Sequence, residues 1–209
     1  MGRIFLFLFM GCLGCVAQPL AVIFLDIDGV LVRDWETGGK WLKLVEIFGE
    51  KKYYTPLEWS IATAYFLNPG AAQCLDLLIA NIEKTHQVAI VLSSAWRENG
   101  TLEEIQNQMF AMWPFSLKIL DKTVHNEARY THAHEAKEKY GIALRSRADQ
   151  IDYWLREHPN LGVDTFVILD DWDDDLSSRF PDHFVHVKDG ILSPSDVSSA
   201  LSKIFLSLE

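Results

Sequence analysis

Three apolar runs of strand length, each ending in carboxylates or hydroxyls, constrain this chain more than any other feature. The first, Ala21 to Leu25, runs directly into Asp26 and Asp28 in "AVIFLDIDGVLV". The second, "QVAIVLSS" (87–94), ends in Ser93 and Ser94, and the third, in "TFVILDDWDDD", ends in Asp170 and Asp171. Short, continuous apolar runs rich in β-branched residues suit strands buried on both faces, the condition of a parallel sheet. If the three strands run parallel, their polar ends share one edge, and ligands of open α/β sheets bind beyond the carboxyl ends of the strands. Residues two apart in an extended chain point the same way, so Asp26 and Asp28 are expected to face one crevice. Asp28-Gly29 also reads as a turn ending the strand, which accounts for Asp28 but not for Asp26.

Between these runs the pattern is helical. Asn68-Pro69 is a helix start, followed by an apolar face of Cys74, Leu75, Leu77, Leu78 and Ile82. Thr101 and Glu104 form a capping box for a helix running to about Met112. "SLKIL" (116–120) reads as a short third strand, and 121–146 is polar and poorly periodic, expected as loop with some helix. Residues 147–158 are amphipathic through Ile151, Trp154 and Leu155; "HFVHV" (183–187) is a last strand, and Ser193-Pro194 opens a closing helix. Strands alternating with helices predict an α/β fold, a three-layer parallel sheet covered on both faces. At 209 residues and 49% hydrophobic, the chain can bury one substantial core. Residues 33–66 mix aromatics with charges, show no clear strand and are too long for a plain connection, so they are expected to form a short inserted cap after the first strand. Trp35, Trp41, Tyr53, Tyr54 and Trp59 are expected to pack the core of this lid, with stacking on a ligand as the alternative.

The formal net charge of -10 gives little reason for an extended nucleic-acid backbone to bind, whereas a local basic pocket can still hold a small phosphorylated substrate or an isolated phosphate end. His132 and His134 lack the further ligands of a zinc site and read as solvated. The first residues are laid out as a secretory signal peptide: Arg3, an apolar run from Ile4 to Ala17, then Gln18-Pro19. That run is too short for the roughly 20 residues that span a bilayer. Cleavage after Ala17 predicts an exported domain over 18–209; without cleavage the protein is cytoplasmic, its first residues an extra element packed on the domain. Leu13-Gly14-Cys15 also resembles the end of a lipoprotein signal, with Cys12 where an aliphatic residue is preferred. Membrane contact is expected only through this leader or such a lipid anchor. Removing the leader leaves Cys74 alone, with no intrachain disulfide.

Apolar strands that end in uncovered carboxylates are costly unless a cation or a function compensates. Oxygen ligands without a cysteine or histidine set point to a hard cation such as magnesium. The motifs resemble those of the haloacid dehalogenase superfamily: "DIDGV" its first motif, "IVLSS" its second and "VILDDWDDD" its acidic fourth, in the same order, over roughly residues 21 to 205. "VLSSAWRENG" is similar to a small-phosphatase-like subgroup with Ser-Ser-x-Trp-Arg, found also in Swiss Army Knife RNA repair proteins. That subgroup continues with Arg-Gly-x-Glu-Ile-x-x-Trp-Leu. Here the stretch from Arg147 to Leu155 has Ala148 for the glycine and Gln150 for the glutamate, and Arg145 competes with Arg147 as the third-motif cation.

The resemblance implies a magnesium-dependent phosphomonoester hydrolase. Asp26 would attack phosphorus and form an aspartyl-phosphate, and Asp28 would protonate the leaving oxygen and then deprotonate water. Magnesium would be held by Asp26, the Asp28 backbone carbonyl and Asp170 or Asp171, with Asp174 steadying its waters. Ser93 and Arg147 would bind the transferring phosphoryl group, with Ser94 and Arg97 as further substrate contacts; Arg97 and Trp96 serve equally as packing beneath the site. Dehalogenases lack the second aspartate of the first motif, so Asp28 favours phosphate chemistry. A phosphotransferase of the same fold and a non-catalytic exported binding domain are the competing classes.

Overall fold

A computed structural model of the protein describes residues 18–32, 46–47, 49–51, 67–98, 100–112, 119–124 and 129–206. Five strands form one sheet: β1 (Leu20–Leu25), β2 (Gln87–Leu92), β3 (Ile119–Lys122), β4 (Val163–Asp170) and β5 (Phe184–His186). Their order is β3-β2-β1-β4-β5, and every neighbouring pair is parallel. This is the α/β architecture that the alternating pattern predicts. The chain winds outward from β1 to β3 and then returns to the other side of β1, so the switch in strand order falls between β1 and β4, where crevices of such sheets open.

Helices whose full extent lies among the described residues are α1 (Pro69–Ile82), α2 (Leu102–Met112), α3 (Arg129–Tyr140), α4 (Arg147–Glu157), the single-turn α5 (Leu176–Arg179) and α6 (Pro194–Leu206). Side chains of β1 alternate between two cores. Ala21, Ile23 and Leu25 pack with α1 and α6, while Val22 and Phe24 pack with Ala148, Ile151 and Trp154 of α4. All five of these residues are fully buried, and Val22, Ile23, Phe24 and Leu25 each contribute about 1.5–3 kcal/mol by leaving water. Phe24 meets Trp154 edge-on with ring centroids 5.4 Å apart, a contact that fixes α4, and with it Arg147, against the sheet.

The helix starts follow their sequence signals. Asn68 Oδ1 accepts from the backbone N–H of Gly70 and Ala71, and Thr101 and Glu104 exchange both bonds of a capping box. The third strand lies further along than "SLKIL" suggests. It runs over Ile119–Lys122, with 116–118 outside the described residues. Its polar end is held in place: Asp121 accepts from Trp154 Nε1, and Lys122 Nζ donates to the carbonyls of Arg97 and Gly100. Within the polar stretch 121–146, α3 is a full helix rather than mostly loop, seated by Ala136 in a small cluster with Ile142, Leu144 and Tyr153. His134 on its outer face lies 3.3 Å from Glu138, as a solvated residue would.

The neck of the 33–66 insertion is closed. Val32 and Leu67 form an antiparallel bridge, and Asn68 N–H donates to the Leu31 carbonyl. Of the 33–66 stretch only 46–47 and 49–51 are described; Trp35, Trp41, Tyr53, Tyr54 and Trp59, and the leader over 1–17, lie outside the described residues. Among the described residues no helix is long and apolar enough to cross a membrane.

Candidate active site

β1 and β4 are hydrogen-bonded neighbours, so the residues that follow them emerge side by side. Asp26 N–H donates to the Leu169 carbonyl at 3.0 Å, which sets Asp26 beside Asp170. Asp26 is 5% exposed, and its Oδ1 accepts from Ile27 N–H at 2.7 Å. On the other side of β1, Ser93 N–H donates to the Leu25 carbonyl at 2.9 Å and brings the end of β2 to the same edge. The convergence expected from three strand ends is present.

Asp26, Asp170 and Asp171 each offer a carboxylate oxygen, and these oxygens lie within 4.8 Å of one another. An all-oxygen set of this size fits magnesium, a hard cation that takes carboxylate and water oxygens. Asp171 lies against Gly29, whose φ of +76° and missing side chain admit the carboxylate: a Cβ there would stand 2.0 Å from Asp171 Oδ2.

The opposing charge comes from Arg147. Its side chain is 17% exposed, and Nη1 donates to Asp26 Oδ2 at 2.6 Å and to Asp170 Oδ2. Burial opposes the guanidinium charge, but Asp26 and Asp170 outweigh it and hold the pKa above its ordinary value. Burial, and after it the charge of Asp26, raises the Asp170 carboxyl, against the pull of Arg147. Ser146 caps α4 with both bonds of a capping box to Asp149, making Arg147 the first helical residue. The Arg147 N–H donates to Asp174 Oδ2 at 2.6 Å. Asp174 therefore fixes the helix bearing the cation, and lies outside the three-carboxylate cluster. Left-handed backbone at Asp174 and Asp175 (φ 34° and 68°) turns the loop toward α4. For Arg145, the bond in view is from its backbone N–H to Asp149 Oδ2; Arg147 is the residue that reaches the carboxylates.

Asp28 is half-buried and also outside the cluster; its Oδ2 accepts from Trp96 Nε1 at 3.1 Å. Ser93 and Ser94 are both fully buried. Among the described residues the Ser93 hydroxyl has no hydrogen-bond partner, whereas Ser94 Oγ accepts from Trp96 N–H at 3.3 Å. An unsatisfied hydroxyl at a strand end costs about 1–3 kcal/mol unless a ligand supplies the bond. Arg97 lies beneath the site rather than at its mouth: Nη1 donates to the Ser94 carbonyl and Nη2 to Gln150 Oε1, both at 2.9 Å. That second bond joins the serine loop to α4 and was not foreseen in the sequence, although the Gln150 departure from the subgroup pattern marked the position.

A family model for the HAD domain in Swiss Army Knife RNA repair proteins matches residues 22–195, from the third residue of β1 to the first turn of α6. No curated protein and no solved structure matched the chain. The strand ends, the Arg147 helix and the acidic loop all fall inside the matched span, and the chain belongs to this family of the haloacid dehalogenase superfamily.

Proposed function

We propose that this protein is a magnesium-dependent phosphomonoester hydrolase that works through an aspartyl-phosphate on Asp26. Family membership supports a hydrolase of phosphatase type. The observation that carries the finer reading is the meeting of Asp26, Asp170, Asp171 and Arg147 at one sheet edge. Magnesium held by Asp26, Asp170 and Asp171 would supply positive charge to the phosphoryl oxygens and keep the carboxylates together.

Asp26 attacks phosphorus as the ester P–O bond breaks, and the leaving oxygen takes its proton from Asp28. Water then attacks the acyl phosphate, gives a proton to Asp28 and frees inorganic phosphate with Asp26 restored. The Trp96 indole N–H orients the Asp28 carboxylate. Arg147 would transfer its bonds from the aspartates to phosphoryl oxygens, and the Ser93 hydroxyl would gain there a partner that it lacks among the described residues. Arg97 and Ser94 act from below, holding the serine loop to α4. The leader is read as a cleaved export signal.

The test is release of phosphate from p-nitrophenyl phosphate with and without magnesium, followed by trapping of phosphate on Asp26 in an acid-quenched sample. Turnover indifferent to magnesium, or phosphate on another residue, overturns this mechanism.

A further inference from the structure

One side chain at the site takes no part in this chemistry. Trp172, directly after Asp170 and Asp171, is 71% exposed, more than any other large apolar side chain among the described residues. A single exposed apolar residue is ordinarily unremarkable. This one is an indole on a backbone that is fixed on both sides. Trp172 N–H donates to Asp170 Oδ1 at 2.9 Å, the Asp171 carbonyl is bonded to His186 Nε2 at 2.9 Å, and Asp173 Oδ1 accepts from Ser177 N–H at 2.7 Å. The indole belongs to none of the three buried clusters of the described residues. Its place in the chain is set by the same carboxylate that contacts Arg147.

We propose that Trp172 is a stacking platform for the base of a nucleoside monophosphate whose phosphate is seated at Asp26, so that the substrates of the proposed phosphatase are mononucleotides. The inference rests on the phosphatase reading. Asp26 is almost fully buried, whereas Trp172, whose backbone N–H is bonded to Asp170, is largely exposed, so an aromatic ring that reaches the indole must be separated from phosphorus by a spacer. A ribose is such a spacer. A ring bonded directly to the ester oxygen, as in phosphotyrosine, would instead lie beside Asp28 and Trp96. Asp173, Asp174 and Asp175 follow Trp172 directly, in a chain of net charge -10. These charges disfavour further phosphates and select a substrate with one, presenting a neutral ring.

Stacking of a base on an aromatic side chain is worth about 5- to 150-fold in affinity. The experiment compares kcat/KM for adenosine 5′-monophosphate and 3′-monophosphate, glycerol phosphate, a phosphotyrosine peptide and a short oligonucleotide with a terminal phosphate, in the wild type, Trp172→Ala and Trp172→Phe. The ratio of nucleotide to glycerol phosphate should fall about 5- to 150-fold in Trp172→Ala, through KM, and be largely kept in Trp172→Phe. The mononucleotide should exceed the oligonucleotide end. An unchanged ratio, a loss confined to the phosphotyrosine peptide, or preference for the oligonucleotide overturns the proposal. If no phosphomonoester is hydrolysed, the phosphatase reading has failed. Quenching of indole fluorescence by adenosine monophosphate then decides the stacking by itself: it must be weaker in Trp172→Phe, and equal quenching refutes it.

Discussion

Gly29→Ala tests whether the close approach of β1 and β4 loops is what builds the carboxylate cluster. A Cβ at Gly29 would lie 2.0 Å from Asp171 Oδ2 and 2.1 Å from its Cγ, and ordinary contact begins near 3.4 Å. The carboxylate must therefore retreat by 3.4 − 2.0 = 1.4 Å. With Cγ as close as the oxygen, a small rotation of the end of the side chain cannot clear the clash, and Asp171 has to swing out of the cluster. A displacement of about 1 Å at a positioned group costs on the order of 100-fold in rate. The φ of +76° adds left-handed strain, about 1–2 kcal/mol for a residue with a Cβ, or roughly 2–8 °C in melting temperature for a domain of this size. Manganese titration by calorimetry or electron paramagnetic resonance reads the cluster directly, and kcat/KM on an aryl phosphate reads its consequence. Asp171→Ala should reproduce the metal loss without the strain, and the double variant should lose little more than either alone, because both act on one carboxylate. Wild-type metal affinity in Gly29→Ala would falsify the argument that this glycine exists to admit Asp171.

Asp26→Asn should reduce magnesium-dependent turnover to background, while Asp28→Asn should form phosphoenzyme from a substrate with a good leaving group and release it slowly; substantial steady turnover in Asp26→Asn refutes the nucleophile. Arg147→Ala should lower kcat/KM by on the order of 100-fold or more, and Arg145→Ala by much less, since only Arg147 is seen to reach Asp26 and Asp170; equal effects would reverse the assignment of the cation. Arg97→Met removes two charge-assisted bonds and should destabilise by about 1.5–3 kcal/mol, read as a drop of roughly 3–12 °C in a thermal melt; an unchanged melting temperature would mean that the link to Gln150 holds nothing. Mass spectrometry of the protein recovered from a bacterial host should show an N-terminus near Gln18, and an intact leader on cytosolic protein would sink the export reading.

What the sequence made legible follows from which signals are local. Helix starts at Asn68 and Thr101 were readable because the cap and its partner lie within three residues. The carboxylates were readable because burial makes β1 and β4 uniformly apolar, and the first charge after such a strand marks its end. α3 was obscured because it presents mostly polar residues and is seated through Ala136, Tyr140 and a few neighbours, too narrow a stripe to give a period. β3 was misplaced because its last two residues are charged, and what holds them is Trp154 and two carbonyls from distant parts of the chain. Arg145 and Arg147 are equivalent as sequence; Ser146 as the cap between them decides which one enters the helix. Neither the Arg97 bond to Gln150 nor the exposure of Trp172 has any local signature.

The central position of β1 has a consequence for how the protein comes to exist. Its two partners are made at different times: β2 begins 87 − 25 = 62 positions after β1 ends, and β4 163 − 25 = 138 positions after. As the chain emerges, β1 can pair on one side only, leaving the other edge of an entirely apolar strand open until β4 has emerged as well. Such an edge invites pairing with other chains. The same delay keeps Asp26 apart from Asp170, 170 − 26 = 144 positions later, so a truncated or stalled chain has no carboxylate cluster with which to hold a cation. On the magnesium reading, divalent-cation binding should thus appear only as the last third of the chain docks, which would make it a reporter of completed folding.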